Sequence, residues 1–410
     1  MTSAEKDTSS AGQFRVLVVT AALFVIWGVA LWLYNSLFFK FSRFFGLGPV
    51  PIAWTLTAFH IAYVCLVIPA VMFHRQFGYK LGLLFSLSMF GVGAVLLYFA
   101  ILHHSSPSFF GAVVMIGSCG AWLDTSLNPL VALAGPPGTL VRRMNAAHAF
   151  NGAGMFAAYV TGISLLGKDY QLASGATAQW SARPYVLVGL GAMLLAFLIE
   201  QVALPAFAAK RRDKAAEPAP SLRDDIGALL RDKPFLIAAA ALCAYCAVLT
   251  ILWTASYKFQ HIELPGHVVQ IFERGWFWFV IGRFAGLALM RWIDPGRLLQ
   301  ACAALCLIAI TVTAAAGGQI GWLALLSASL FLAITFPTVF GSALARNMSK
   351  IAAATCLLVI AAGLGNALSS LLGSLALDAF SVNARVVILA ALPLEAIVLF
   401  FALTAQRKTV

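Results

Sequence analysis

Apolar runs of about twenty residues follow one another along the chain, separated by short polar breaks. A membrane-crossing helix needs about 20 mostly apolar residues. Such runs stand near 16–38, 52–73, 81–102, 109–133, 146–167 and 184–206, then near 235–257, 268–290, 298–317, 320–344, 352–375 and 384–404. The pattern predicts an all-α polytopic membrane protein with twelve transmembrane helices. Only Gly317-Gly318-Gln319 remains for the turn between the ninth and tenth spans. A polar stretch near 210–233 splits the spans into two sets of six. The expected domains are therefore an N-terminal six-helix bundle at 1–206, a cytoplasmic linker at 207–234 and a C-terminal six-helix bundle at 235–410. The polar N-terminal tail and the length of the first apolar run argue against a cleaved signal peptide.

Composition narrows the class further. The chain is 61% hydrophobic and 10% charged, whereas a soluble domain carries roughly 25% charged residues; a soluble globule and a disordered chain are both excluded. The formal net charge of +12 is a topology signal. With the N-terminus in the cytoplasm, nineteen Lys and Arg fall on cytoplasmic segments and seven outside, the bias that orients polytopic proteins. Both termini and the linker are expected in the cytoplasm, in a multi-pass protein of the cell inner membrane, with the bilayer rather than nucleic acid as the partner of this charge. Basic inner loops recur at equivalent places, in Arg75-Gln-Phe-Gly78-Tyr-Lys80 and Arg291-Trp-Ile-Asp-Pro-Gly296-Arg297. Asn128-Pro129 in span 4 and Phe336-Pro337 in span 10 mark two helices that proline can break. The seven cysteines all sit in apolar runs, so no disulfide framework is expected. Cys243-Ala-Tyr-Cys246 has the redox or metal spacing but no ligand partners nearby, and reads as small apolar filler. No metal, cofactor or nucleotide-binding motif is expected.

Ionisable residues inside a bilayer are costly and face a partner or a water-filled cavity. Here they are Asp124, His148, Arg283, Glu395 and His60, with Glu200 in the outer half of span 6. Asp124 stands near the middle of span 4, and Asn128, four residues on, shares its helix face. A carboxyl in a low-dielectric site can take and release a proton near neutral pH; the alternative is a structural carboxyl bonded to a neighbouring helix. In span 5, Asn145, His148 and Asn151 recur at i, i+3 and i+6 and form a polar stripe. That stripe suits ligand hydroxyls or, alternatively, interhelical hydrogen bonds. His148 is a candidate second titrating group beside Asp124. Gly152 and Gly154 leave room for another helix. Arg283, eight residues before Arg291, is about 12 Å from it along a helix, within reach of the inner interface by snorkelling, so a gating or structural role is expected for it, as for Arg75 and Arg291. Trp27, Trp32 and Trp253 lie within spans rather than at their ends, and either line a cavity or pack.

These residues resemble the fucose–galactose–glucose:proton symporter group of the major facilitator superfamily. The specific part is Leu123-Asp124-Thr-x-x-Asn128-Pro129, followed by Arg143-Met-Asn145-Ala-Ala-His148-Ala-Phe-Asn151. Trp27-Gly-Val-Ala, Gly282-Arg283-Phe-x-Gly286 and Phe336-Pro337-Thr338 add to it. The resemblance implies two six-helix bundles rocking about a central site, Asp124 as a carboxylate coupling substrate to protons, and His148 and Asn151 at sugar-contacting positions. The chain departs from the group in span 1, where Trp32 and Asn35 stand at places that often carry an asparagine and a proton-accepting aspartate. It departs again in span 7, where Leu249 precedes Trp253 without the usual polar residue. His148 replaces a glutamine.

The expected function is secondary active transport, by alternating access, of a small polar solute such as a monosaccharide, coupled to protons through Asp124 and His148. The substrate set expected is Trp27, Trp32, Asn35, Asn128, Asn145, His148, Asn151, Trp253 and Phe336, in a chain acting as a monomer. The alternatives are a facilitator, exchanger or exporter of a less polar molecule, and a polytopic membrane transferase. Short loops and a mid-span carboxyl argue against an enzyme.

Overall fold

In the computed structural model the apolar runs are helices. The backbone is described for residues 10–166, 175–201, 221–266 and 274–405, and side chains within these outside 10–13, 32–43, 161–182 and 184–185. The first half holds α1 (Ser10–Phe44), α2 (Pro49–Phe77), α3 (Tyr79–Leu102), α4 (Ser106–Leu133), α5 (Leu140–Leu166) and α6 (Gly175–Gln201). A short helix, α7 (Leu222–Leu229), precedes α8 (Lys233–Glu263), α9 (Gly275–Leu289), α10 (Pro295–Ala316), α11 (Gly318–Leu332), α12 (Thr335–Arg346), α13 (Ile351–Ser374), α14 (Ala384–Leu389) and α15 (Ala391–Ala405). The pairs α11–α12 and α14–α15 each make one span, so the twelve spans stand where the apolar runs predict them.

Local chemistry sets the helix ends. Proline lacks an N–H and suits the first helical turn, where it opens α2, α4, α8 and α10. The Asp294 carboxylate caps α10 by accepting from the Gly296 and Arg297 amides. Gly317 and Gly318, at φ of 60° and 52°, turn α10 into α11 in the left-handed region that glycine alone enters cheaply. The two expected breaks behave differently. Span 10 does divide between Leu332 and Thr335, just before Pro337, whereas α4 runs unbroken through Pro129.

Among the described residues nine helices are long and apolar enough to cross a membrane, and Val186–Gln201 and Gly275–Leu289 are shorter apolar helices. The remaining span, α5, carries Arg142, Arg143, Asn145, His148 and Asn151 in the part whose side chains are described. The outer surface is apolar in keeping with lipid: Leu187, Leu190, Leu194 and Phe197 form an exposed stripe on α6.

Helices α1–α6 pack mainly on one another, as do α8–α15, and the halves meet where α13 lies on α2 and where α5 lies on α9 and α12. The face that carries α7 is called the linker face, and the opposite one the far face. Arg75 and Arg291 are both exposed at the linker face. Glu200, expected in the outer half of its span, instead ends α6 on the linker face, 3.7 Å from Lys80. Close approach within the first half depends on glycine. A Cβ on Gly28 would lie 2.0 Å from the Asn151 carbonyl oxygen, and one on Gly154 2.0 Å from that of Val25. The α1 and α5 backbones therefore touch at both glycines, beside Asn151.

Candidate functional site

A cavity of about 150 Å³ lies between the two halves. Its polar wall combines Asp124 of α4, His148 and Asn151 of α5, and Arg283 of α9; Trp27 of α1 and Phe336 of α12 supply aromatic surface. All six sit near the middle of their spans, where a charge has no water to shield it.

Each charge is held by named groups. The Tyr63 hydroxyl of α2 donates to Asp124 Oδ2 at 2.6 Å, a short bond of the charge-assisted kind. Asp124 is paired with Tyr63, and His148, expected as a second titrating group beside it, is not bonded to it directly. Asn128 stands between them. Its Nδ2 donates to the Asp124 carbonyl at 3.0 Å, and its Oδ1 lies 3.3 Å from His148 Nε2. With the amide so oriented, the network assigns the His148 proton to Nε2. The imidazole is clasped between Phe24 of α1 at 4.8 Å and Phe336 at 5.1 Å, one ring from each half.

Arg283 departs most from its expectation. It does not snorkel toward the linker face but is buried and aimed across the interface. Its NH1 donates to the His148 carbonyl and to Asn151 Oδ1, both at 2.6 Å. The guanidinium carbon lies 4.5 Å above the Phe279 ring, a cation–π contact within its own half. Gly152 makes room for this arginine: a Cβ there would stand 3.3 Å from its Cδ. Asn151 completes the bridge by donating from Nδ2 to the Phe24 carbonyl at 3.3 Å. Arg283 thus ties His148 and Asn151 of α5 to the C-terminal half.

The other expected substrate residues are placed elsewhere. Asn128 is fully buried behind the cavity wall, between Asp124 and His148. Asn145 lies one turn toward the linker face, donating to Thr338 Oγ1 of α12 at 3.1 Å and to the Val141 carbonyl at 2.9 Å. Its amide is used up in joining the halves. Trp253 lines a separate cavity on the far side, because it stands one turn beyond Leu249, the last α8 residue at the central site. Trp32 and Asn35 lie on α1, but their side chains are outside the described residues.

The cavity also holds residues the sequence reading did not single out as ligands. Tyr63 and Tyr245 are chief among them, with Cys246 and Asn366. Tyr63 had a legible signal, since a buried tyrosine needs a partner for its hydroxyl and Asp124 was the nearest mid-span acceptor class. Asn366 accepts from Thr250 Oγ1 at 2.9 Å, joining α13 to α8. Among the described residues no group of three or more His, Cys, Asp or Glu is placed to hold a metal ion.

Twelve spans in two bundles, with a carboxylate and an arginine buried between them, define a polytopic membrane protein with a polar centre. The chain belongs to the Major Facilitator Superfamily, which matches residues 16–355. It is 27% identical to the L-fucose-proton symporter of Escherichia coli (strain K12) over 354 residues, 80% of each chain. It is 26% identical to the glucose/galactose transporter of Brucella abortus biovar 1 (strain 9-941) over 392 residues, 92% of this chain and 91% of that protein. The crystal structure of FucP in the outward conformation superposes with a TM-score of 0.82 at 23% identity, covering 96% of this chain and 99% of that one.

Proposed function

We propose that the protein is a proton-coupled monosaccharide transporter of the inner membrane, working by alternating access. The observation that carries this reading is the cavity between the halves in which Tyr63–Asp124 faces a cross-bundle Arg283–Asn151–His148 link. A solute with several hydroxyls can exchange hydrogen bonds with Asn151, His148 and Arg283, loosening the one arginine bridge between the halves. Loss of that bridge favours the rocking motion, so occupancy and opening are coupled. Trp27 and Phe336 offer flat surfaces to the apolar face of a sugar ring. Asp124 is the proton carrier: a carboxylate is expensive in this site and a neutral acid is not, so proton uptake and the state of the cavity depend on one another. His148 and Asn128 extend the same network. The names of the relatives, sugar transporters and proton symporters, agree with this chemistry.

In this reading 1–206 and 235–410 are the moving bundles and 207–234 the cytoplasmic linker. The linker face, with both termini, is the cytoplasmic one, as the charge bias requires. The chain acts as a monomer and as a carrier, not as an enzyme. Proteoliposome uptake of L-fucose, D-glucose and D-galactose under an imposed pH gradient tests it. Asp124→Asn is expected to abolish accumulation against a gradient while solute exchange persists. Accumulation by Asp124→Asn at the unaltered level would sink the proton-coupling assignment.

A further inference from the structure

A second cavity, of about 220 Å³, lies toward the far face, and the described residues that line it belong to the C-terminal half. Its walls include Trp253 and Gln260 of α8, Arg274 and Trp276 at the start of α9, and Trp322 and Ser329 of α11. Its lining sets it apart from a packing defect: among the described residues it has three indoles, an arginine and several hydroxyls but no carboxylate. On one side Gly275 packs close against α11, where a Cβ would stand 2.8 Å from Ser329 Oγ.

The cavity is also aligned with the central site. Cys246 and Leu249 line the central cavity, and Trp253, Ser256 and Gln260 line this one. Their spacing of three and four residues puts all five on one face of α8, with Trp253 about 6 Å beyond Leu249 along the axis. Trp276 meets Tyr159 of α5 with ring centroids 4.3 Å apart, at the rim between the halves. We infer that this cavity is a waiting station for the transported sugar: a second monosaccharide site on the far side of the central one, where indole faces take the ring and Arg274 and the hydroxyls of the wall take its oxygens. The inference rests on the sugar reading above.

Equilibrium dialysis of the purified full chain with radiolabelled L-fucose, D-glucose and D-galactose tests it by stoichiometry. Two sites per chain are expected for at least one of them. Trp322→Phe shrinks the indole face to a single ring, and Arg274→Gln changes an exposed residue; each should weaken one site at least tenfold and leave the other intact. Asn151→Ala should remove the remaining, central site. A single site lost in Asn151→Ala but untouched by Trp322→Phe and Arg274→Gln overturns the station and leaves the sugar reading standing. Two sites that both ignore those variants overturn it as well. Failure of all three sugars to bind overturns the sugar reading, and the station with it.

Discussion

The Tyr63–Asp124 bond is where a single atom matters most. A hydrogen bond to a charged group contributes roughly 1.5–3 kcal/mol, and Asp124 is buried with Tyr63 as its hydroxyl donor. Tyr63→Phe leaves the ring in place and takes away only that donor. A hydroxyl donor stabilises an ionised carboxylate more than a neutral acid, so in the proton-coupling reading its contribution falls once Asp124 takes up its proton. The variant should therefore melt lower than the parent at pH 8 and close to it at pH 5, read by thermal denaturation of purified protein. An equal loss at both values would show that the carboxyl does not change state there. Asp124 was legible as the mid-span carboxyl, and the stripe Asn145, His148, Asn151 from its spacing alone. Tyr63 and the true aim of Arg283 were not, because which way a buried side chain turns is decided by residues distant in sequence. Arg283 meets groups 132 and 135 positions away, which no local spacing encodes.

At the scale of helices, α5 carries most of the design. The span is legible as the apolar run near 146–167, and its polar residues His148 and Asn151 lie on the face that serves the cavity. Its seat against α1 depends on two glycines whose absent side chains let backbones touch. Gly154→Val would drive a branched side chain into the Val25 carbonyl and force the helices apart. Overpacking of this kind costs about 1–3 kcal/mol, and here the obstacle is backbone that cannot rotate away. The variant is expected to lower the melting temperature and to disturb Asn151, held to α1 through the Phe24 carbonyl. Gly191→Ala, whose Cβ would meet nothing within 4 Å, is the matched control and should melt like the parent. Equal melting of all three proteins would show that the α1–α5 contact carries no such constraint. The proline in α4 teaches the converse lesson. Asn128-Pro129 reads as a break, yet the helix continues, because one lost backbone bond is tolerated where neighbouring helices hold the segment on every side.

Across the whole molecule, the two halves touch along α5 at two levels, with the central cavity between. Toward the linker face Asn145 meets Thr338, and a Cβ on Gly341 would stand 3.2 Å from Val141 Cα. Toward the far face Tyr159 meets Trp276, and Phe156 meets Phe277 at 6.2 Å. A carrier must open these seams one at a time, for opening both would leave an aqueous leak and opening neither would trap the solute. Fixing one seam should therefore leave the other free to open. Paired cysteines at Asn145 and Thr338, joined by a short bifunctional reagent, would hold the linker face shut; a pair at Tyr159 and Trp276 would hold the far face shut. The reporter is Leu249→Cys, on the cavity wall, with the native cysteines replaced by serine. An impermeant thiol reagent applied from the far face should label it when the linker seam is fixed and spare it when the far seam is fixed. Both cross-links should stop net transport. Equal labelling under the two cross-links would mean that α5 does not form the gates, and that the path to the central cavity runs instead between α2 and α13, the other line on which the halves meet.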